Sequence, residues 1–174
     1  MVLGEYREVR RSLSPARHII EARVALASAW SVGGYAVGLA FQKFGEIGEG
    51  AVAELLEVLE AETSALIVRN QSVQTAAGQR VIDFFVQLGQ RSALLEIKYG
   101  IPGSAQAYDR LLSQLSTSVQ SGTAQQVVLV LVRTPTFSQL ATLGARLGVD
   151  ASGVTVVTVG ELQGWLSTFF GVYF

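Results

Sequence analysis

Asp83, Glu96 and Lys98 are the residues of this chain whose types and spacing are best suited to chemistry. Asp83 interrupts the apolar run RVIDFF at 80–85, and Glu96 and Lys98 interrupt ALLEIKYG at 93–100. Charges inside apolar strands need a partner because burying an unpaired charge is unfavourable. Two carboxylates can bind Mg²⁺, which prefers one or two carboxylates together with waters and phosphate oxygens. The pattern therefore indicates metal-assisted chemistry on a phosphate group.

The two runs are predicted to form a β-hairpin. Gly89-Gln90 lies between them and suits a two-residue turn in which Leu88 faces Arg91. Continued along the ladder, this register places Asp83 directly opposite Glu96. Lys98 then shares the face of Glu96, because successive side chains of a strand point to opposite faces.

The composition narrows the chemistry further. The 174 residues include no cysteine and one histidine, His18, which excludes thiolate metal sites, His-rich metal sites and the usual Ser-His-Asp arrangement. The net charge is −1, with +3 in residues 1–43, −6 in residues 44–62 and +2 in the remainder. A protein that coats polyanions would be basic throughout. Catalysis must therefore use carboxylates, Lys, Arg, Tyr or hydroxyl groups.

The periodicity predicts an α/β domain with a mixed β-sheet flanked by helices, in the order α-β-β-β-α-β-α-β-α. The run at 126–134 is apolar at nearly every position, as in a strand that is buried on both faces. Strands are predicted at 65–73, 80–88, 92–100, 126–134 and 153–159, and helices at 48–62, 104–120, 137–147 and 160–170.

Residues 1–44 are predicted to form a helical, apolar extension that precedes a catalytic domain at 45–174. Residues 24–41 carry no charge, which meets the length criterion for a membrane span, but they are rich in Ala, Gly and Ser. We expect this segment to be covered by a homodimer partner or by the catalytic domain, with membrane contact as the less favoured alternative. The extreme terminus lacks the pattern of a secretory signal peptide, so we expect a cytoplasmic protein.

Helices supply three further candidate residues. Glu49 starts the helix 48–62 and lies three, four and seven residues before apolar positions, so we expect its carboxylate to face inward and join Asp83 and Glu96. Gln106 and Arg110 share one stripe of the helix that follows the hairpin, where they could contact a nucleic-acid backbone; a solvated helix face is the favoured interpretation of that stripe.

In this order, the segments GEIGEGAVAELL, VRN, RVIDFF and ALLEIKYG resemble the core of the PD-(D/E)xK nucleases, and most closely the Holliday junction resolvase-like members. The resemblance covers about residues 45–134. It implies a restriction-endonuclease-like fold and cleavage of phosphodiester bonds with Mg²⁺ or Mn²⁺. Glu49, Asp83 and Glu96 would be the metal-site acids, and Lys98 would act on the attacking water or the transition state. Ile82 replaces the proline of the motif.

The resemblance favours DNA as the substrate, although the residues do not separate DNA from RNA. Three biological alternatives remain open at this point. The chain could be a repair or recombination nuclease, or the C-terminal nuclease domain of a secreted toxin, which the apolar segment before the catalytic domain favours. It could also be a catalytically silent interaction protein with the same fold. The set of Asp83, Glu96 and Lys98 argues against the last alternative, because packing alone does not require these three on one face.

Overall fold

The computed structural model describes the backbone of residues 34–76 and 78–174 and the side chains of this range from Glu46 onward. The predicted order of elements is confirmed. In chain order they are α1 (Gly34–Glu62), β1 (Leu66–Thr75), β2 (Gly78–Leu88), β3 (Arg91–Lys98), α2 (Ala105–Gln120), β4 (Gln126–Leu131), α3 (Phe137–Leu147), a 3₁₀ turn (Gly148–Gly153), β5 (Val154–Thr158) and α4 (Val159–Phe170).

The five strands form one mixed sheet with the spatial order β1-β2-β3-β4-β5. β1, β2 and β3 pair in an antiparallel manner, whereas β3, β4 and β5 run parallel to one another. Parallel neighbours require crossover connections, and α2 and α3 supply them. The sheet therefore has an antiparallel half and a parallel half, which share β3.

Alternating side chains of the central strands pack into two apolar layers, one on each face of the sheet. In β3, Leu95 and Ile97 pack against α1 and α4, whereas Leu94 packs against α2 and α3. All five residues of β4 after Gln126 are buried, as predicted for a strand covered on both faces. Glu96 and Lys98 belong by this alternation to the α2/α3 face. The site residues of β3 therefore lie on a face that a helical layer covers.

The β2–β3 turn is the predicted one. Leu88 pairs with Arg91 across Gly89-Gln90, and Gly89 has a φ of 59°, as glycine does at the first position of a type II′ turn. The ladder nevertheless ends one pair earlier than expected, at Phe84–Leu95. The predicted cross-strand pair of Asp83 and Glu96 is not formed.

A local distortion explains this early end. Asn70, which the β1–β2 register places across from Asp83, has a positive φ of 52°, and the ladder skips this one position. Ile67 packs on the α1/α4 face, but Val73 packs on the α2/α3 face, although both have odd numbers. The strands thus exchange faces at this point. The far half of the hairpin, residues 71–75 and 78–82, leaves β3 and lies against α2.

α1 is longer than predicted. It begins at Gly34 instead of Gly48 and passes without interruption through the proposed boundary at 44/45. An isolated glycine inside a helical pattern is tolerated, so Gly48 and Gly50 do not end the helix. The division into an extension and a catalytic domain remains a prediction, and residues 24–33 of the apolar segment lie outside the described residues. In the described part of the chain, no helix is long and apolar enough to cross a membrane.

Candidate active site

The candidate site lies where β2 separates from β3. The Asp83 carboxylate occupies the gap between the strands, and its Oδ2 accepts a hydrogen bond of 2.6 Å from the backbone N–H of Ile97. A side-chain oxygen thus takes the place that a backbone carbonyl would hold if the ladder continued. The prediction that Asp83 faces Glu96 directly across the ladder is wrong, because the Asp83 contact goes to the backbone N–H of Ile97, next to Glu96.

Glu96 is a buried carboxylate held between two cations. Its residue is 4% exposed, in a strand where Leu94, Leu95 and Ile97 are also buried. Glu96 Oε1 lies 2.6 Å from Lys98 Nζ, as expected for side chains two residues apart on one strand face. Glu96 Oε2 lies 2.7 Å from a guanidinium nitrogen of Arg80. The two cations therefore hold the carboxylate in one orientation.

Arg80 was not identified from the sequence. Strict alternation would place Arg80 and Asp83 on opposite faces of β2, and so would keep Arg80 away from Glu96. The face exchange at Asn70 and Asp83 brings it to the α2 side, where Arg80 Nη1 donates 2.8 Å to Ser118 Oγ and also donates to the Gln114 carbonyl. An arginine three residues before the aspartate was the available signal, but no local rule predicts the face exchange.

The electrostatic environment of Asp83 differs from that of Glu96. The pKa of the Asp83 carboxyl is raised from 3.8 to about 6, mainly by burial and next by the negative charge of Glu96. The hydrogen bond from Ile97 and the charge of Lys98 lower this pKa, and Glu49 raises it. Asp83 therefore carries negative charge that nearby groups compensate only in part, so a cation beside it would be stabilising.

The chain resembles known proteins in structure and not in sequence. No family model and no curated protein matches the sequence. Can2 from Sulfobacillus thermosulfidooxidans, solved with cyclic tetra-adenylate, superposes with a TM-score of 0.57 at 12% identity, over 74% of this chain and 36% of Can2. This chain has a restriction-endonuclease-like fold of the PD-(D/E)xK type. It spans about a third of the length of Can2.

Two further solved structures resemble this chain at lower TM-scores. The small subunit of the heterodimeric restriction endonuclease R.BspD6I has a TM-score of 0.43 at 15% identity, over 74% of this chain and 69% of the subunit. SfsA of Pyrococcus furiosus, solved in complex with Ca²⁺, has a TM-score of 0.37 at 19% identity, over 70% of this chain and 55% of SfsA.

The position of Glu49 corrects the prediction that its carboxylate faces inward. Glu49 is exposed on α1 and does not start the buried stripe. The stripe begins at Gly48, where a Cβ atom would lie 2.6 Å from Val132 Cγ2 and 3.3 Å from Ile97 Cγ2. The helix can approach the sheet so closely because Gly48 has no side chain, and the next residue is rotated by about 100° toward solvent. Glu49 acts on Asp83 from the rim of the site.

The carboxylate oxygens at the site are suitable ligands for a hard divalent cation. Asp83 and Glu96 offer carboxylate oxygens, and Mg²⁺ is commonly held by one or two carboxylates together with waters. Across residues 34–76 and 78–174, no three acidic side chains come close enough together to hold an ion as a group. Glu49 is therefore not assembled with the other two acids.

Three exposed polar residues lie on the elements that follow β3 and β4. Gln106 and Arg110 are exposed on the N-terminal half of α2, as their stripe predicted. Arg133 follows β4, and its backbone N–H donates 2.7 Å to the carbonyl of Tyr99, so it lies beside the end of the strand that carries Lys98. These side chains are exposed and accessible to a ligand from solvent.

Proposed function

We propose that this chain is a divalent-metal-dependent nuclease that hydrolyses phosphodiester bonds of nucleic acid, with DNA as the preferred substrate. The observation that supports this proposal is the meeting of Asp83, Glu96 and Lys98 where β2 and β3 separate, in a restriction-endonuclease-like fold.

The roles of the residues follow from their environments. Asp83 and Glu96 would hold the cation, which when bound would neutralise phosphate oxygens and lower the pKa of a bound water. The Lys98 side chain is 34% exposed, so its ammonium group can reach both Glu96 and solvent. From that position Lys98 would orient the attacking water or stabilise the charge that develops on the phosphate.

Substrate binding is assigned to exposed residues near the same end of the sheet. We propose that Arg110 and Gln106 contact the nucleic-acid backbone, and that Arg133 adds a further positive charge beside Lys98. Such contacts give affinity that depends on salt and not on sequence. Glu49, which is exposed at the rim, would tune the hydration of the cation and would not bind it directly.

The test is direct incubation of the full chain with plasmid DNA, branched DNA and total RNA, in Mg²⁺, Mn²⁺ or EDTA. We expect cleavage in either metal, none in EDTA, and restoration when metal is added back in excess. DNA should be cut faster than RNA. Full cleavage in excess chelator would contradict the proposed mechanism, and cleavage of RNA alone would contradict the proposed substrate.

One observation favours a catalytically silent interaction protein as the second candidate. Both carboxylate oxygens of Glu96 already pair with cations, Arg80 and Lys98, so the site is partly neutralised without metal. Calorimetric titration with Mn²⁺ separates the two candidates. A nuclease should bind Mn²⁺, and Asp83→Asn should weaken that binding. A chain that binds no Mn²⁺ and cuts no nucleic acid would be the silent form.

The proposed assembly and location rest on the sequence. We propose that a second copy of the chain covers residues 24–41, because this uncharged segment is too apolar to remain exposed on a monomer. We also propose that the protein acts in the cytoplasm. Light scattering on the full chain tests the first proposal, and a monomer at micromolar concentration would contradict it.

A further inference from the structure

Arg80 connects three groups that lie far apart in the sequence. One guanidinium nitrogen lies 2.7 Å from Glu96 Oε2 on β3, and the other lies 2.8 Å from Ser118 Oγ and also donates to the Gln114 carbonyl on α2. The Arg80 side chain is 15% exposed and that of Glu96 6%. The two nitrogens therefore hold a buried carboxylate and a helix at a fixed separation.

We propose that Arg80 is a positioning residue for the nuclease reaction, a proposal that rests on the function proposed above. Arg80 anchors Glu96 Oε2 to α2, so that Oε1 is the oxygen presented toward Lys98 and the site. A planar guanidinium suits this task because its donors are fixed in a fork, whereas a lysine ammonium is a single point on a flexible stem.

Simple stabilisation of the fold does not account for this arrangement. A buried ion pair is weak support for stability, because removing both charges from water offsets much of their attraction. The positive charge of Arg80 also opposes cation binding at Glu96, since it lowers the negative potential there. What the arrangement does provide is a single orientation of the Glu96 carboxylate, and orientation of reacting groups has a large effect on rate.

Arg80→Met therefore has two expected effects with opposite signs. The affinity for Mn²⁺ should rise by at least about threefold, because a positive charge beside Glu96 has been removed. The value of kcat should fall by about tenfold or more, with KM nearly unchanged, because Glu96 loses its anchor and adopts unproductive orientations. A residue with a merely structural role would show loss of metal binding and loss of rate together.

Arg80→Lys supplies the conservative variant. Its ammonium group can keep the charge near Glu96 but cannot reach Ser118 and the Gln114 carbonyl at the same time. We expect Mn²⁺ affinity close to that of the parent and a kcat between those of the parent and Arg80→Met. Arg69→Met is the matched control, because Arg69 lies on the same hairpin and pairs with Glu57 on the other side of the sheet.

The experiment measures Mn²⁺ affinity by calorimetry, kcat and KM on a labelled DNA duplex, and the melting temperature of each full-length protein. Assays are run well below the lowest melting temperature. Tighter Mn²⁺ binding with a lower kcat in Arg80→Met, partial recovery in Arg80→Lys and parent behaviour in Arg69→Met support the proposal. If Arg80→Met does not fold, Arg80→Lys provides the test. A kcat below that of the parent supports the proposal, and a kcat equal to that of the parent contradicts it.

Two results would overturn the proposal, and they differ from each other. If Arg80→Met binds Mn²⁺ and cuts DNA as the parent does, Arg80 does not position Glu96, and the proposed nuclease function stands. If the parent itself neither binds Mn²⁺ nor cuts DNA, the proposed function fails, and the role of Arg80 in it fails as well.

Discussion

The two sides of the β1–β2 hairpin each carry an arginine–glutamate pair, and the two pairs are opposites in environment. Arg69 lies 2.9 Å from Glu57 of α1, with side-chain exposures of 55% and 67%. Arg80 lies 2.7 Å from Glu96, with exposures of 15% and 6%, and Glu96 also holds Lys98. The residue types and distances are nearly the same, so only burial and neighbouring groups distinguish the pairs.

The difference shows which pair can serve a site. An exposed pair contributes only about 0–1 kcal/mol and exchanges freely with water, so it fixes little. A buried pair contributes little net stability either, but removing one partner leaves the other unpaired in the interior, at a cost of about 3–5 kcal/mol. Burial thus makes the Arg80–Glu96 geometry rigid, which is the property that the proposed chemistry needs and that Arg69–Glu57 lacks.

The largest expected effect is on catalysis at the buried pair. Lys98→Ala should lower the cleavage rate by about 10²–10³-fold, because the ammonium group acts on charge that develops in the transition state. The melting temperature should change little, since Arg80 still neutralises Glu96. Rates on a DNA duplex beside thermal melting test this. Cleavage at the parent rate would show that the proposed site is wrong, whatever the fold.

The next effect compares the stability of the two pairs directly. Glu96→Gln should lower the free energy of unfolding by about 3 kcal/mol, because Arg80 is left charged and buried. Glu57→Gln should lower it by less than about 1 kcal/mol. Urea denaturation of both variants in EDTA gives the two values. Equal losses would mean that burial does not distinguish the stabilities of the two pairs.

A smaller effect concerns Asp83 and pH. Its native pKa of about 6 lies above the ordinary 3.8, so folding favours the protonated acid. This contribution to stability is present below pH 3.8 and is lost as the pH rises through 6. In EDTA, Asp83→Asn should therefore melt higher than the parent at pH 8 and at about the same temperature at pH 4. A lower melting temperature at pH 8 would contradict the pKa assignment.

The smallest effect concerns an exposed arginine without a buried partner. Arg110→Ala should leave stability and kcat nearly unchanged but weaken DNA binding. Its loss should also reduce the slope of log affinity against log salt by about one. Fluorescence anisotropy with a labelled duplex at several salt concentrations measures this, and Arg146→Ala, which removes the exposed Arg146–Asp109 pair, is the control. An unchanged slope in Arg110→Ala would remove α2 from the binding surface.

Much of the fold and part of the site followed from local patterns in the sequence. The order of elements, the Leu88–Arg91 register and the shared face of Glu96 and Lys98 all depend on periodicity and turn chemistry, which act over a few residues. These predictions were confirmed. The predicted pairing of Asp83 with Glu96 was wrong, because the ladder ends one pair earlier, at Phe84–Leu95.

Tertiary structure decided the rest. The positive φ of Asn70 and the face exchange at Asp83 end the ladder and carry Arg80 to Glu96 and Ser118, which lie 16 and 38 residues away. Glu49 is exposed because Gly48 sets how closely α1 approaches the sheet. Period-2 alternation assumes an undistorted strand and says nothing about contacts between distant segments. The sequence by itself therefore determined which residues carry the proposed chemistry, and the packing of the hairpin against α2 decided how Glu96 is held.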